Sequence, residues 1–277
     1  MIQMVVFDLD GTLLDSEKNI SSPTYETLRK LVRHNIEIVP CTGRPYFGLL
    51  DPVRKIPDVH YVITTNGAGI YHRPTDQLLH EEPIPLNRVL PLIQRLEPLQ
   101  VMSDPFVRGR SYMSEHHVPL IDEMTENEAV KHYIRASRTI VPNLEIFLKE
   151  LNLDVEKVTL NFVHEADGSR RDFDQVLEIL RDFPDLNAIS GGMDNIEITA
   201  SGVTKATGLT WLCKKLQIPL SDVVAFGDSG NDIEMLRAAG LGIAMENGEP
   251  EAKKAADVIT RSNDNDGFVY GCEKFVF

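Results

Sequence analysis

Two aspartates set two apart open the chemistry of this chain. Asp8 and Asp10 stand at the end of Val5-Val6-Phe7-Asp8-Leu9-Asp10-Gly11-Thr12. Two carboxylates so close repel each other unless positive charge lies between them, and a divalent cation with oxygen ligands is the simplest source of it. A bare D-x-D-G is more often a strand end followed by an Asp-Gly turn. Here later stretches supply further reactive groups: Thr42-Gly43-Arg44, Lys205, and Gly227-Asp228-Ser229-Gly230-Asn231-Asp232.

The elements that must position these groups are legible around them. The apolar run before Asp8 reads as a buried strand, with Gly11 permitting the turn that stops it. Both aspartates then sit at the carboxyl end of a strand, where open α/β sheets bind ligands. Ser22-Pro23 reads as a helix start, with Ser22 as N-cap and Pro23 at the first helical position. Residues 36–39 form a second buried strand that leads into Thr42, with Pro40 ending it or sitting at a bulge. Residues 61–65 form a third, ending in Asn66-Gly67. From about Glu82 prolines break this rhythm. Strand candidates at 99–103, 106–113 and 158–163 and helix candidates at 122–135, 143–151 and 173–180 read as an inserted α+β module. The strand–helix alternation resumes with a strand at 196–199, a helix at 204–216 ending before Pro219, a strand at 223–226 running into Gly227, and further elements to Ile259. The expected boundaries are a core of residues 1–82 and 189–277 and an insert of residues 83–188.

The four ordered motifs resemble the haloacid dehalogenase (HAD) superfamily of aspartate-nucleophile phosphohydrolases, and the spacing and insert position are most similar to its Cof-type sugar-phosphatase branch. The resemblance spans the whole chain. It implies an α/β fold: a doubly wound parallel-sheet, Rossmann-like HAD core with an inserted α+β cap domain of the C2 type, which would close over the site and exclude water. It implies a Mg²⁺-dependent phosphatase acting on a small phosphorylated metabolite, a sugar phosphate or phosphorylated cofactor, through an aspartyl-phosphate. Asp8 is then the nucleophile, and Asp10 the acid that protonates the leaving oxygen and later activates water. Metal ligands are Asp8 and Asp228 through side chains and Asp10 through its carbonyl, supported by Asp232 and Asn231. Thr42 binds the phosphoryl group, and Lys205 is the counter-charge to phosphate and nucleophile. Gly43, Arg44, Asn66 and Gly67 are expected at the substrate. Arg44 is equally readable as an exposed arginine, and Lys205 alone as a surface lysine, although a lysine opposes the dipole of the helix it opens. Arg108, Arg110, His116 and His117 are candidate specificity contacts in the insert, with His164 and Arg170 behind them. A sugar phosphomutase, or a metabolite-binding protein of the same fold without turnover, is the alternative.

Composition sets outer limits. The 277 residues are 42% hydrophobic, enough for one large domain or two modest ones. A formal net charge of −14 disfavours nucleic acid and anionic membranes as partners. Cys41, Cys213 and Cys272 lack framework spacing, so reduced thiols and a cytoplasmic location are expected, with Cys41 a packing residue. Neither a signal peptide nor an apolar run of membrane-spanning length is evident. Oligomeric state is not encoded in any pattern of the chain.

Overall fold

A computed structural model describes residues 1–190 and 195–277. In chain order the strands are β1 (Met4–Phe7), β2 (Glu37–Pro40), β3 (Tyr61–Thr64), β4 (Gly69–His72), β5 (Gln77–Glu81), β6 (Val101–Val107), β7 (Arg110–Ser114), β8 (Arg138–Val141), β9 (Lys157–Phe162), β10 (Leu186–Ser190), β11 (Ile196–Ala200), β12 (Val223–Gly227), β13 (Leu241–Ala244) and β14 (Val258–Ile259). The α-helices are α1 (Ser22–Arg33), α2 (Asp51–Arg54), α3 (Leu86–Leu96), α4 (Leu120–Met124), α5 (Glu128–Ser137), α6 (Leu144–Leu151), α7 (Phe173–Arg181), α8 (Lys205–Leu216), α9 (Ile233–Ala238), α10 (Pro250–Ala255) and α11 (Gly267–Phe275).

The chain divides into two units. The first comprises Met1–Arg44, Leu49–Glu81 and Val203–Phe277. Its five-stranded parallel sheet runs β14-β13-β12-β1-β2. β1 is an interior strand, between β12 and β2, and Met4–Phe7 is accordingly buried on both faces. Helices cover both faces. Met4, Val6, Val39, Val223 and Ala225 pack on α8 and α9 through Leu209, Leu212, Met235 and Leu236. On the other face Phe268 of α11 meets the rings of Phe7 and Phe226 at centroid distances of 5.3 and 4.8 Å. This is the doubly wound core expected. The third strand joins it through one parallel bridge, Cys41 to Ile63, and then turns into the antiparallel meander β3-β4-β5. Pro40 closes β2 opposite Phe7.

The second unit is Pro45–Gly48 with Glu82–Gly202, built on a six-stranded sheet of order β10-β11-β9-β6-β7-β8. Helices α3, α6 and α7 bury Val89, Leu92, Leu144, Leu148 and Val176 against Val101, Val158, Leu160 and Ile198 of one sheet face. Met102 and Met113 lie instead in a cluster with Leu120, Ile121 and Ile134 of α4 and α5. The β6–β7 hairpin turns at Arg108 and Gly109, both at positive φ (49° and 72°), as a primed turn requires.

Three expectations are displaced. The helix expected at 122–135 is two, α4 and α5, broken at residues 125–127. The N-cap of α1 is Ser21, whose hydroxyl accepts from Thr24 N–H, rather than Ser22. The return to the core falls at Val203 rather than residue 189, because the strand at Ile196–Ala200 pairs antiparallel with β9 and β10 in the second sheet. Its Ile196-Glu197-Ile198-Thr199 alternation is the pattern of an antiparallel strand rather than of a continuous apolar parallel one, although here all four residues are buried.

Candidate active site

The first unit gathers its reactive side chains at the carboxyl ends of β1 and β12 and the N-terminus of α8. Asp8 follows β1 directly, and its N–H donates to Phe226 O at 3.0 Å. Lys205 is the first residue of α8, which Thr204 caps through a reciprocal pair with Thr207. Although it is a lysine at a helix N-terminus, only 1% of its surface is exposed. The reason is two carboxylates: its Nζ lies 2.6 Å from Asp8 Oδ1 and 2.6 Å from Asp232 Oδ1. The second oxygen of Asp232 accepts from the N–H groups of Asp228 and Ser229 at 2.9 and 3.0 Å, which fixes the loop after β12.

Asp8, Asp228 and Asp232 each place an oxygen within 4.8 Å of the others. Three carboxylates against one ammonium leave the cluster two charges short of balance. Burial, and then the mutual repulsion of the acids, raises the Asp8 carboxyl despite Lys205 and pushes Asp228 up to about 7. Hard oxygen donors, close-set and under-neutralised, are what a divalent cation such as Mg²⁺ or Ca²⁺ satisfies, so the residues fit one. Gly11 makes the packing possible: at φ +84° it lies so close to Asp228 that a Cβ would stand 2.5 Å from Oδ2.

Asp10 lies outside this cluster. Its carboxylate turns to Arg44, which binds it in a fork at 2.6 and 2.8 Å, and to Lys18, whose Nζ is 2.9 Å from Oδ1. These cations hold it well below the usual carboxylate range against the opposing effect of burial.

Thr42 continues the line of β2; its N–H donates to Ile63 O at 2.9 Å and its Oγ1 accepts from Arg44 N–H at 3.1 Å. Gly43 and Arg44 follow, half-buried. Asn66, at φ 57°, donates through its N–H to Thr42 O and accepts from Asn231 Nδ2 at 3.4 Å. Gly67 has a packing duty: a Cβ there would lie 2.1 Å from Thr204 O, so this turn abuts the start of the helix that carries Lys205.

Two residues were missed from sequence. Thr12 donates its hydroxyl to Asp228 Oδ1 at 2.6 Å, and Lys18 pairs with Asp10. Thr12 stood inside the opening motif, whereas Lys18 lies in a loop without periodicity and carried no signal. Cys41 is fully buried, and desolvation raises its thiol far above the usual value, consistent with packing. In the second unit Arg110 stacks on Phe47 at 4.4 Å, Arg170 on Phe173 at 3.3 Å, Arg108 forms the hairpin turn, and His164 bridges to Arg170 through its backbone. His117 is fully buried and its imidazole is lowered by desolvation, whereas His116 is exposed.

A family model for haloacid dehalogenase-like hydrolases matches residues 5–271. The chain belongs to this family. Among curated HAD-like relatives, phosphatase YwpJ of Bacillus subtilis is 28% identical over 287 residues, spanning 97% of this chain and 98% of its own. The 5-amino-6-(5-phospho-D-ribitylamino)uracil phosphatase YitU of B. subtilis is 28% identical over 267 residues, 95% of this chain and 94% of its own. A HAD-like hydrolase from B. subtilis superposes with a TM-score of 0.84 at 27% identity, covering all of both chains. A HAD subclass IIB sugar phosphatase does so with a TM-score of 0.80 at 26% identity over 99% of each chain. The protein is thus a HAD-like phosphatase of the Cof type, with the α/β core and the separate, largely antiparallel cap sheet of that group. No helix among its described residues is long and apolar enough to cross a membrane.

Proposed function

We propose that this protein is a Mg²⁺-dependent phosphatase that releases inorganic phosphate from a small phosphorylated metabolite by way of a phosphorylated Asp8. The observation that carries the reading is Lys205, buried and held at 2.6 Å from both Asp8 and Asp232. A cation locked onto a carboxylate at a strand tip keeps that carboxylate aimed for attack, works against the burial that raises it, and later offsets the charge of the phosphoryl group.

In the first step an Asp8 oxygen bonds to phosphorus while the bond to the ester oxygen breaks. Asp10, which must first take up a proton against the pull of Arg44 and Lys18, passes it to that oxygen, and the alcohol leaves. In the second step Asp10, now a carboxylate, takes a proton from water. The water oxygen attacks phosphorus, and the bond to Asp8 breaks to give inorganic phosphate. Asp8 and Asp228 would hold Mg²⁺ by side chains and Asp10 by its carbonyl, with Asp232 in support. Mg²⁺ bound there neutralises the carboxylates and draws charge from the phosphoryl oxygens. Thr42 and Gly43 offer a hydroxyl and an N–H to those oxygens. Arg44, Asn66 and Asn231 line the same strand tips.

Relatives named for a ribityl phosphate and structural neighbours named for sugar phosphates support a polyhydroxylated or heterocyclic leaving group. Phosphate release is expected from a narrow set of such esters with Mg²⁺ and none with EDTA. Release unaffected by EDTA removes the metal from the reading. No release from any ester by the folded, Mg²⁺-loaded protein removes turnover itself and turns attention to phosphomutase assays.

A further inference from the structure

Both oxygens of the Asp10 carboxylate are taken: Oδ2 by Arg44 Nε, and Oδ1 by both Arg44 Nη2 and Lys18 Nζ. The two cations are not equivalent. The Arg44 side chain is 15% exposed and forked onto its partner, whereas that of Lys18 is 49% exposed on a flexible stem. Lys18 stands in the loop after β1 at φ 64°, a loop anchored by Ser16 on Asp264, Asn247 on Gly11 O and Asn263 on Leu14 O. Its ammonium is thus a loose charge on a fixed base.

The charges also divide. The inner half of the site, Asp8, Asp228, Asp232 and Lys205, has a deficit of positive charge. The outer half, Asp10 with Arg44 and Lys18, has one in surplus. As Asp10 takes up a proton for the ester oxygen its attraction for both cations weakens, and the half-exposed Lys18 is the one freer to move. Because its Nζ starts 2.9 Å from Asp10 Oδ1, the ammonium begins within about 6 Å of an ester oxygen that Asp10 approaches within about 3 Å. A substituent on the carbon next to the ester falls within its reach.

We propose that Lys18, backed by Arg44, is a specificity residue that binds an anionic substituent, a carboxylate or second phosphate, on the carbon adjacent to the phosphoester. This rests on the phosphatase reading and on Asp10 as the proton-transfer group. Within the polyhydroxylated or heterocyclic esters proposed above, the favoured substrates are then those that also carry an acid or a second phosphate beside the ester, in which the anionic group replaces Asp10 as the partner of Lys18. Neutral polyol phosphates leave the displaced ammonium to water.

The test compares kcat/KM for three esters with Mg²⁺: 2-phosphoglycolate, the neutral 2-hydroxyethyl phosphate, and p-nitrophenyl phosphate as a general reporter. The expected wild-type preference for phosphoglycolate over hydroxyethyl phosphate is about ten- to a hundredfold, the range of one charge-assisted hydrogen bond. Lys18→Met collapses the ratio of the two toward one whichever way the common rate moves. Lys18→Arg restores it, and Lys18→Glu inverts it. Equal turnover of both esters by the wild type overturns the proposal while leaving the phosphatase reading intact. So does a ratio that Lys18→Met does not change, or a loss shared equally by all three esters, which marks a phosphoryl contact instead. Turnover of none of the three, with every other ester also inert, overturns both readings together.

Discussion

Replacing Lys205 by Met tests the electrostatic construction of the site. The side chain is 1% exposed and makes two 2.6 Å contacts, so methionine fills similar space and removes only the charge. The cluster of Asp8, Asp228 and Asp232 then goes from two uncompensated negative charges to three. Removing one partner of a buried ion pair costs about 3–5 kcal/mol, because the surviving charge stays out of water. Here two carboxylates are orphaned, but Asp232 keeps the N–H groups of Asp228 and Ser229. The middle of that range, about 4 kcal/mol, is the expected loss in EDTA at pH 7.5. Against a usual total of about 5–15 kcal/mol this is a large part of the stability. The assay is urea denaturation, with and without Mg²⁺, of Lys205→Met, Asp232→Asn and the double variant. Adding Asp232→Asn to Lys205→Met relieves the repulsion, so the double variant is less destabilised than the sum of the singles by at least about 1 kcal/mol. Mg²⁺ narrows the gap to wild type. A single-variant loss below about 1 kcal/mol, or strict additivity, would show that the buried lysine does not balance these acids and would refute the reasoning.

Asp8→Asn should lower phosphate release by on the order of a thousandfold or more while leaving circular dichroism unchanged, and near-normal rates would dismiss Asp8 as nucleophile. Asp8 and Asp228 are both raised above the ordinary value of 3.8, Asp228 to about 7, so the folded protein holds protons that the unfolded chain has released. Their stabilisation is therefore complete below about pH 4; the part due to Asp228 is lost as pH rises through about 7 and the part due to Asp8 as pH rises through its own raised range, at up to about 1.4 kcal/mol per pH unit for each extra proton. Asp10, held low by Arg44 and Lys18, works in the opposite sense and is lost only on acidification below that window. Urea midpoints in EDTA should fall between pH 5 and 7.5 and flatten with Mg²⁺; a flat profile in EDTA would count against the raised pair. Gly67→Ala forces a Cβ to 2.1 Å from Thr204 O at φ +98°. A loss of about 2–4 kcal/mol in thermal denaturation is expected, with a fall in turnover as Lys205 shifts; an unperturbed melt would show that the helix start yields freely.

The parts of this site that lie at ends of regular elements were legible in the sequence. Asp8 ends an uninterrupted apolar run, Asp228 follows another, Thr42 follows a third, and Lys205 stands just inside a capped helix. Each position comes from periodicity plus a stop signal, and those survive into the structure. What was hidden depends on irregular backbone. Lys18 reaches Asp10 from a left-handed residue in a loop held by side chains some 230–250 positions further along, and no local pattern encodes such a contact. The domain return was misplaced because the strand at Ile196–Ala200 was counted as one more core strand. Its alternation of isoleucine with Glu197 and Thr199 argued for an antiparallel neighbour, and the continuous apolar runs of β1 and β12 supplied the contrast.

The position of β1 also sets a timetable for synthesis. One of its neighbours, β2, follows within about 30 residues, but the other, β12, is made roughly 220 residues later. At about 5–20 residues per second the ribosome leaves one edge of Met4–Phe7 without its partner for roughly 10–40 s. For most of that interval Asp8 and Asp10 exist without Lys205, and Asp228 is made only after β12 itself. A truncated chain is therefore not a weak enzyme. It presents an apolar, unpaired strand edge, a surface that invites aggregation or a chaperone, until the last third of the protein has been made.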